Sequence, residues 1–72
     1  MHFRRLIATI KERREMLRLT QEGLAELSGV GLRTIKEFES GKGNPTLLTL
    51  QKIADVLGLE VSLNVKDISN RR

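Results

Sequence analysis

Residues 20–45 read TQEGLAELSGVGLRTIKEFESGKGNP, and their capping signals place two short helices in this stretch. Thr20 is of a type that caps helix N-termini, and Gly29 stands where a helix end favours a left-handed residue. These two signals bound the first of the two helices. The second is predicted from about residue 31 to residue 40, where the glycines and proline that follow end it. Two short helices joined through Gly29–Val30–Gly31 have the spacing of a helix-turn-helix.

The flanking sequence predicts one more helix on each side. Apolar residues recur at helical spacing over residues 3–17, and again after Thr46, which is a second N-cap candidate; Gly58 ends that last helix. The expected apolar stripes consist of Phe3, Leu6, Ile7, Ile10 and Leu17 in the first helix, and of Leu47, Leu50, Ile53, Ala54 and Leu57 in the last. Helices of this length are unstable alone, so a packed four-helix unit is expected.

The end of the sequence has a different period. Val61, Leu63 and Val65 alternate with polar residues, which predicts a half-buried β-strand over residues 59–67, followed by a tail at 68–72. The chain offers no second strand, so we expect this strand to pair antiparallel with that of a second copy in a homodimer. The alternative is an extended tail that packs on its own domain.

The charge distribution favours a polyanionic partner. The 72 residues carry a formal net charge of +4 with a pI of about 10.1, and residues 1–18 alone carry a net +4. Such asymmetry suits nucleic acid, although a solvated helix face is the alternative. Aromatic residues make up 3% of the chain, which disfavours stacking on single-stranded bases and favours duplex DNA.

The composition also argues against other classes of function. The chain has no cysteine and one histidine, and no paired carboxylates or phosphate-binding glycine loop stand at useful spacing. We therefore expect no enzyme activity, no metal and no cofactor. No apolar run approaches the roughly 20 residues of a membrane span, so a soluble cytoplasmic protein without a membrane partner is expected.

Residues 20–45 resemble the DNA-binding motif of the Cro/CI-like (XRE) helix-turn-helix family. The resemblance covers about residues 5–59 and implies a mostly α fold: a lambda-repressor-like domain of four to five short helices over residues 1–58. The matching positions are Thr20, Gln21, Leu24, Ala25, Gly29, Val30, Ile35, Glu39, Gly41 and Pro45, with Arg14 upstream. The family resemblance also implies that Arg14 and Glu39 pair inside the domain.

The resemblance places the second helix of the motif in the major groove of double-stranded DNA. The outward positions expected there are Gly31, Leu32, Arg33, Thr34, Lys36 and Glu37. Arg33 is the best candidate for reading guanine, whereas Lys42 is expected at the DNA backbone and Gln21 at a phosphate. For each side chain, the alternative is an ordinary solvated surface residue.

Two features depart from the family pattern. Gly31 and Leu32 stand where Ser, Thr or Gln often cap the helix and contact bases, so Leu32 offers only apolar contact, for example with a thymine methyl. Glu37 is acidic on the DNA-facing side; it either accepts a hydrogen bond from cytosine N4 or points away.

Residues 45–67 resemble HipB-type antitoxins, whose paired C-terminal strands join two copies. That resemblance implies a HipA-like kinase toxin as partner and autoregulation of a toxin–antitoxin operon through a pseudo-palindromic operator. Two alternatives remain open from the sequence. One is a stand-alone XRE-family regulator without a toxin, and the other is a protein-interaction module whose basic helix has no DNA target.

Overall fold

Four α-helices account for most of residues 3–66, the part of the chain that the computed structural model describes. The helices are α1 (Arg4–Met16), α2 (Gln21–Ser28), α3 (Leu32–Glu39) and α4 (Leu47–Val56). Their number and order confirm the predicted helical architecture. No helix of this part of the chain is both long and apolar enough to cross a bilayer.

Local capping explains where α2 and α4 begin. The hydroxyl of Thr20 accepts a hydrogen bond from the Gly23 N–H, and that of Thr46 accepts one from the Thr49 N–H. Each bond satisfies one of the amide groups that a helix N-terminus leaves without a partner. A Cβ at Gly23 would lie 3.2 Å from Thr20 Oγ1, so the absence of a side chain at Gly23 leaves room for this cap.

The core lies where α2 meets α3 and α4. Leu24, Ile35, Ile53 and Leu57 are fully buried, one or two from each of these elements, and Ile10 joins them from α1. Burial of this kind stabilises the fold by about 1.5–3 kcal/mol for each large aliphatic side chain. The helix-turn-helix is therefore held rigidly by side chains on both of its helices.

Four residues of the predicted apolar stripes are exposed and do not belong to the core: Phe3, Leu6, Leu17 and Leu47. Phe3 is 58% exposed and Leu47 is 76% exposed, because both lie at the start of their helices, beyond the contact between the helix bodies. Together with Leu6 and Leu50 they line an open apolar cavity of about 290 Å³ on the surface. The prediction that these four residues face inward was wrong: Leu6, in the first turn of α1, is 37% exposed, and Leu17, just beyond the end of α1, is 42% exposed.

The predicted C-terminal strand is absent from the single chain: residues 59–66 contain no strand. A strand needs the N–H and C=O groups of a neighbouring strand, and residues 3–66 supply none. Leu59 packs against the core, whereas Leu63 is 95% exposed and Val65 is 96% exposed, so these two do not pack on their own domain either. Residue 67 and the predicted tail at 68–72 lie outside the described residues.

Candidate nucleic-acid interface

The turn between α2 and α3 is short and anchored at its centre. Gly29 adopts φ +75°, a left-handed conformation that glycine takes without strain, and its N–H donates to the Ala25 carbonyl. Val30 then inserts into the core at 8% exposure, and Gly31 forms the N-cap of α3. This backbone path fixes the angle at which α3 leaves α2.

One face of α3 is buried and the other is open to solvent. Ile35 and Phe38 face the core at 1% and 4% exposure. The residues predicted to face DNA lie at the solvent side or at its border: Gly31, Arg33, Lys36 and Glu37 are exposed, and Leu32 and Thr34 are half-buried. The structure therefore places five of the six predicted positions on α3 and the sixth, Gly31, at its N-cap.

Arg33 and Glu37 form an ion pair one helical turn apart. Arg33 Nε lies 3.5 Å from Glu37 Oε2, and the two side chains are 91% and 50% exposed. The pair shows that Glu37 lies on the same open face as Arg33. Exposed pairs at this spacing contribute only about 0.3–0.5 kcal/mol, so Arg33 can exchange this partner for a nucleic-acid base at little cost.

Lys42 lies on the loop that follows α3. Its N–H donates to the Glu37 carbonyl at 3.0 Å, which holds the loop against the end of the helix. Gly43, at φ +82°, approaches so closely that a Cβ there would lie 3.3 Å from Glu37 Cβ. The exposed Lys42 side chain is thus carried next to the open face of α3.

Behind this open face, a hydrogen-bonded network joins α1, α2 and α3. Arg14 binds Glu39 in a bidentate manner, with Nε to Oε2 at 2.7 Å and Nη2 to Oε1 at 2.9 Å. The remaining guanidinium nitrogen donates to the Leu19 carbonyl at 2.6 Å, and Gln21 Nε2 donates to Glu39 Oε1 at 3.0 Å. The Arg14 and Glu39 side chains are only 10% and 3% exposed.

The network sets the ionisation of its charged members. Burial alone would raise the pKa of the Glu39 carboxyl, but hydrogen bonds from Arg14 and Gln21, and the positive charge of Arg14, outweigh burial and lower that pKa. The hydrogen bond to Glu39 likewise raises the pKa of the Arg14 guanidinium. Both groups are therefore charged at neutral pH, as a buried ion pair requires.

A pH dependence of stability follows from the lowered pKa of Glu39. Such a group stabilises the fold fully above its unfolded pKa of about 4.3, and this contribution is lost as the pH falls through the folded value. We expect the Tm of the native chain to exceed that of a Glu39→Gln variant by the most at neutral pH, with the gap shrinking below about pH 4. Thermal unfolding followed by circular dichroism measures this difference in Tm. A difference at pH 3 as large as that at neutral pH would contradict a stabilising charge on Glu39.

Gln21 occupies the first position of α2, at the N-terminus of the helix as predicted, but its side chain donates a hydrogen bond to Glu39. A carboxamide carries two N–H donors, and the bond to Glu39 uses one of them. Sequence reasoning missed this bond, because residues 21 and 39 are joined only by tertiary packing. It also missed the pair of Arg33 with Glu37, which the i, i+4 spacing could have revealed.

Part of the basic excess in residues 1–18 serves the fold. Arg14 is committed to Glu39, and Arg13 Nε donates to the Leu57 carbonyl at 2.8 Å. Arg4, Arg5, Lys11 and Arg18 remain exposed. The net charge of the first helix therefore overstates the positive charge that this region offers to a partner.

Comparison with known proteins agrees with this geometry. The pattern of the helix-turn-helix family matches residues 10–64. An uncharacterized HTH-type transcriptional regulator of Methanothermobacter thermautotrophicus is 44% identical over 59 residues, which cover 82% of this chain and 81% of that protein. The transcriptional repressor RstR of the cryptic phage CTXphi in Vibrio cholerae is 41% identical over 56 residues, or 72% of this chain and 50% of the repressor.

A further relative is an enzyme. The type II methyltransferase M.SsoII of Shigella sonnei is 43% identical over 53 residues, which make up only 14% of that protein.

The arrangement of α2, turn and α3 defines a helix-turn-helix protein. The chain belongs to the helix-turn-helix family of XRE type, whose relatives above include transcriptional regulators and a repressor.

Proposed function

We propose that this chain is a sequence-specific DNA-binding transcriptional repressor that acts as a homodimer on a pseudo-palindromic operator. The observation that carries the proposal is α3, which is locked on one side by Ile35, Phe38 and Glu39 and open on the other along Arg33 and Glu37. A rigid helix with an open polar face meets what major-groove reading requires. The names of two relatives, a transcriptional regulator and a transcriptional repressor, support the same function.

In this proposal the side chains divide into base readers and backbone contacts. Arg33 donates both arms of its guanidinium to guanine O6 and N7, and Glu37 accepts from a neighbouring cytosine N4. Leu32 contacts a thymine methyl, while Lys36 and Lys42 neutralise phosphates. Thr34 and the backbone at Gly31 lie at the border of the same face.

Gln21 has a second role in the proposal. Its bond to Glu39 fixes the carboxamide at the N-terminus of α2, where the helix dipole favours an anion. The second N–H of the amide is then available for a DNA phosphate. The buried ion pair of Arg14 with Glu39 thus orients a phosphate contact without touching DNA.

The dimer is proposed from residues 59–66. Apart from the Leu59 N–H, which donates to the Ala54 carbonyl, they pair with no strand among residues 3–66, and Leu63 and Val65 lie open to solvent. Antiparallel pairing of two copies would bury the face formed by Val61, Leu63 and Val65. Two copies of α3 related by the dyad would then reach half-sites about 34–36 Å apart, or a multiple of that distance.

Substitutions at Arg33 and Lys42 separate base reading from backbone binding. Arg33→Ala is expected to weaken operator binding by about 5- to 150-fold and to relax the preference at one base pair of each half-site. Lys42→Ala is expected to weaken all DNA sequences alike and to lower the slope of log K against log salt by about one for each phosphate that is no longer neutralised. Selection from a random DNA library, followed by titration at several salt concentrations, gives both quantities.

The matched control for these variants is Lys52→Ala, which removes an exposed charge from α4 and is expected to leave binding unchanged. Identical behaviour of the Arg33 and Lys42 variants would show that Arg33 contacts only the backbone. A shallow salt dependence with no preferred site would argue for the interaction-module alternative instead of a repressor.

The narrower proposal, that the chain is the antitoxin of a HipA-like kinase, rests on the resemblance of residues 45–67 alone. Copurification of a kinase encoded next to this chain would support it. A neighbouring gene of another kind, together with an operator elsewhere, would favour a stand-alone regulator of the same fold.

A further inference from the structure

We propose that the two copies pair in one fixed register, with Leu63 on the two-fold axis, and that Val65 of each copy enters an apolar cavity of the other. This inference rests on the proposed dimer and specifies its interface. It starts from the segment that projects from the helical body. Val61 is 44% exposed, and beyond it Leu63 and Val65 are almost fully open to solvent.

The apolar pattern restricts the register. Residues directly opposite each other in an antiparallel pair point to the same face, so a slip by one residue would set apolar side chains against the polar face. With Leu63 on the axis, Val61 lies opposite the partner's Val65 and all the apolar side chains meet. A slip by two residues in one direction would match Val65 with the partner's Leu59, which already packs against its own core. A slip in the other direction would match Val61 with the partner's polar Asp67.

The polar face selects the same register. With Leu63 on the axis, Glu60 lies opposite the partner's Lys66, and Ser62 lies opposite the partner's Asn64. Each dimer then contains two opposite-charge pairs, related by the dyad. The first of the two slipped registers sets Glu60 against the partner's Asn64 and Lys66 against the partner's Gly58, so neither charge has an opposite charge directly across from it.

A surface cavity that could receive the partner's side chain lies beside Val61. It has a volume of about 200 Å³ and lies between α1, α4 and the start of the C-terminal segment. Its apolar lining consists of Leu6, Ile10, Leu50, Ala54, Leu59 and Val61. Because the partner's Val65 lies opposite Val61 in the proposed register, its side chain arrives at the mouth of this cavity.

The two strands alone bury less area than a stable dimer interface needs. A specific interface buries on the order of 800 Å² on each partner. Three aliphatic side chains bury roughly 60–120 Å² each, by the area that corresponds to their transfer free energies. The strand pair therefore falls short alone. The cavity between α1 and α4 lies next to it, and through Leu6 and Leu50 continues into the second apolar cavity.

Single-cysteine variants of the full chain test the register, since the native sequence contains no cysteine. Leu63→Cys is expected to form a disulfide-linked dimer on mild oxidation, because Cα atoms of opposite residues lie about 4.5–5.5 Å apart. Val61→Cys alone is expected to stay unlinked, since the two copies of residue 61 would lie about 13 Å apart along the strands. Mixing Val61→Cys with Val65→Cys should give the linked heterodimer. Efficient linking of Val61→Cys to itself would overturn the register.

Charge exchange provides a second test without covalent chemistry. Glu60→Lys and Lys66→Glu are each expected to raise the dimer dissociation constant by about 5-fold or more, and the double variant should return it to within about 2-fold of the native value. Lys52→Glu is the matched control and should have no effect. Sedimentation equilibrium measures all four. Additive weakening in the double variant would overturn the pairing of Glu60 with the partner's Lys66.

The cavity is tested by a double-mutant cycle. Leu6→Ala and Val65→Ala should each weaken the dimer, and together they should weaken it less than the product of the two effects, because they remove the same contact. Independent effects would mean that Val65 does not enter the cavity.

These measurements need no DNA, so they separate this inference from the proposed function. A chain that stays monomeric at micromolar concentration but protects two half-sites would overturn the proposed interface and not the proposed repressor function. A dimer in the stated register that prefers no DNA sequence would support the interface and overturn the proposed function.

Discussion

Replacing Glu39 by alanine is expected to lower the free energy of unfolding by about 3–5 kcal/mol, because it leaves the Arg14 guanidinium buried without its counter-charge. The same change removes the acceptor of the Gln21 side chain and so removes the hydrogen bond that joins Gln21 to α3. A chain of this length has a total stability of roughly 4–11 kcal/mol, so the variant is expected to lose from about a quarter of that stability to all of it. Urea denaturation followed by circular dichroism measures the loss.

The neighbouring acid of the same helix provides the control. Glu37→Ala removes only an exposed ion pair with Arg33 and should change stability by less than about 0.5 kcal/mol. Replacing both buried partners, as Arg14→Met with Glu39→Leu, should recover most of the loss, since no buried charge is left unpaired. Equal destabilisation by the Glu37 and Glu39 variants would contradict the view that burial makes this ion pair important.

Leu63→Asp is expected to reduce affinity for a complete operator by about 10²- to 10⁴-fold, while affinity for an isolated half-site stays the same. The substitution sets a charge on the dyad, where two copies would repel each other and the apolar face would no longer be continuous. Once the copies are separate, the second half-site is no longer bound in an intramolecular step. Because Leu63 is 95% exposed in the single chain, the variant should fold normally.

The control is Asn64→Asp, which adds the same charge one residue away on the polar face. It should retain most of the operator affinity. Gel-shift titrations on one and two half-sites, combined with sedimentation of both variants, give the required comparison. Equal loss on the half-site and on the full operator would show that residue 63 acts on DNA contacts or folding and not on dimer formation.

The helices were predictable from local signals, because those signals act within a few residues. Thr20 and Thr46 form the caps that their types suggest, and Gly29 takes the left-handed conformation expected of it. The side chains at helix beginnings were less predictable. Phe3 follows the apolar period but stays exposed, because periodicity gives the face of a residue and not how far the packed region extends along the helix.

The elements that carry the candidate site were predictable, and the hydrogen bonds that connect them were less so. The order of residues on α3 follows from helical geometry, so Arg33, Lys36 and Glu37 are exposed as expected, whereas Leu32 and Thr34 are half-buried. The bond of Gln21 to Glu39 spans 18 residues and depends on the crossing of two helices, which no local pattern encodes. The predicted C-terminal strand, which residues 59–66 do not form, shows a different limit: alternation indicates that a segment can pair, but pairing needs a partner strand, and residues 3–66 contain none.

The position of Glu39 at the last turn of α3 has a consequence for how such a regulator changes its target during evolution. The carboxylate that ends α3, the proposed reading helix, is bonded to α1 and α2, so α3 cannot slide or rotate without breaking these bonds. New operators must then be acquired by exchanging outward side chains on an unmoving frame. Paralogues of this fold can diverge in target while unfolding at similar temperatures, and transplanting a few surface residues should transfer the target with them.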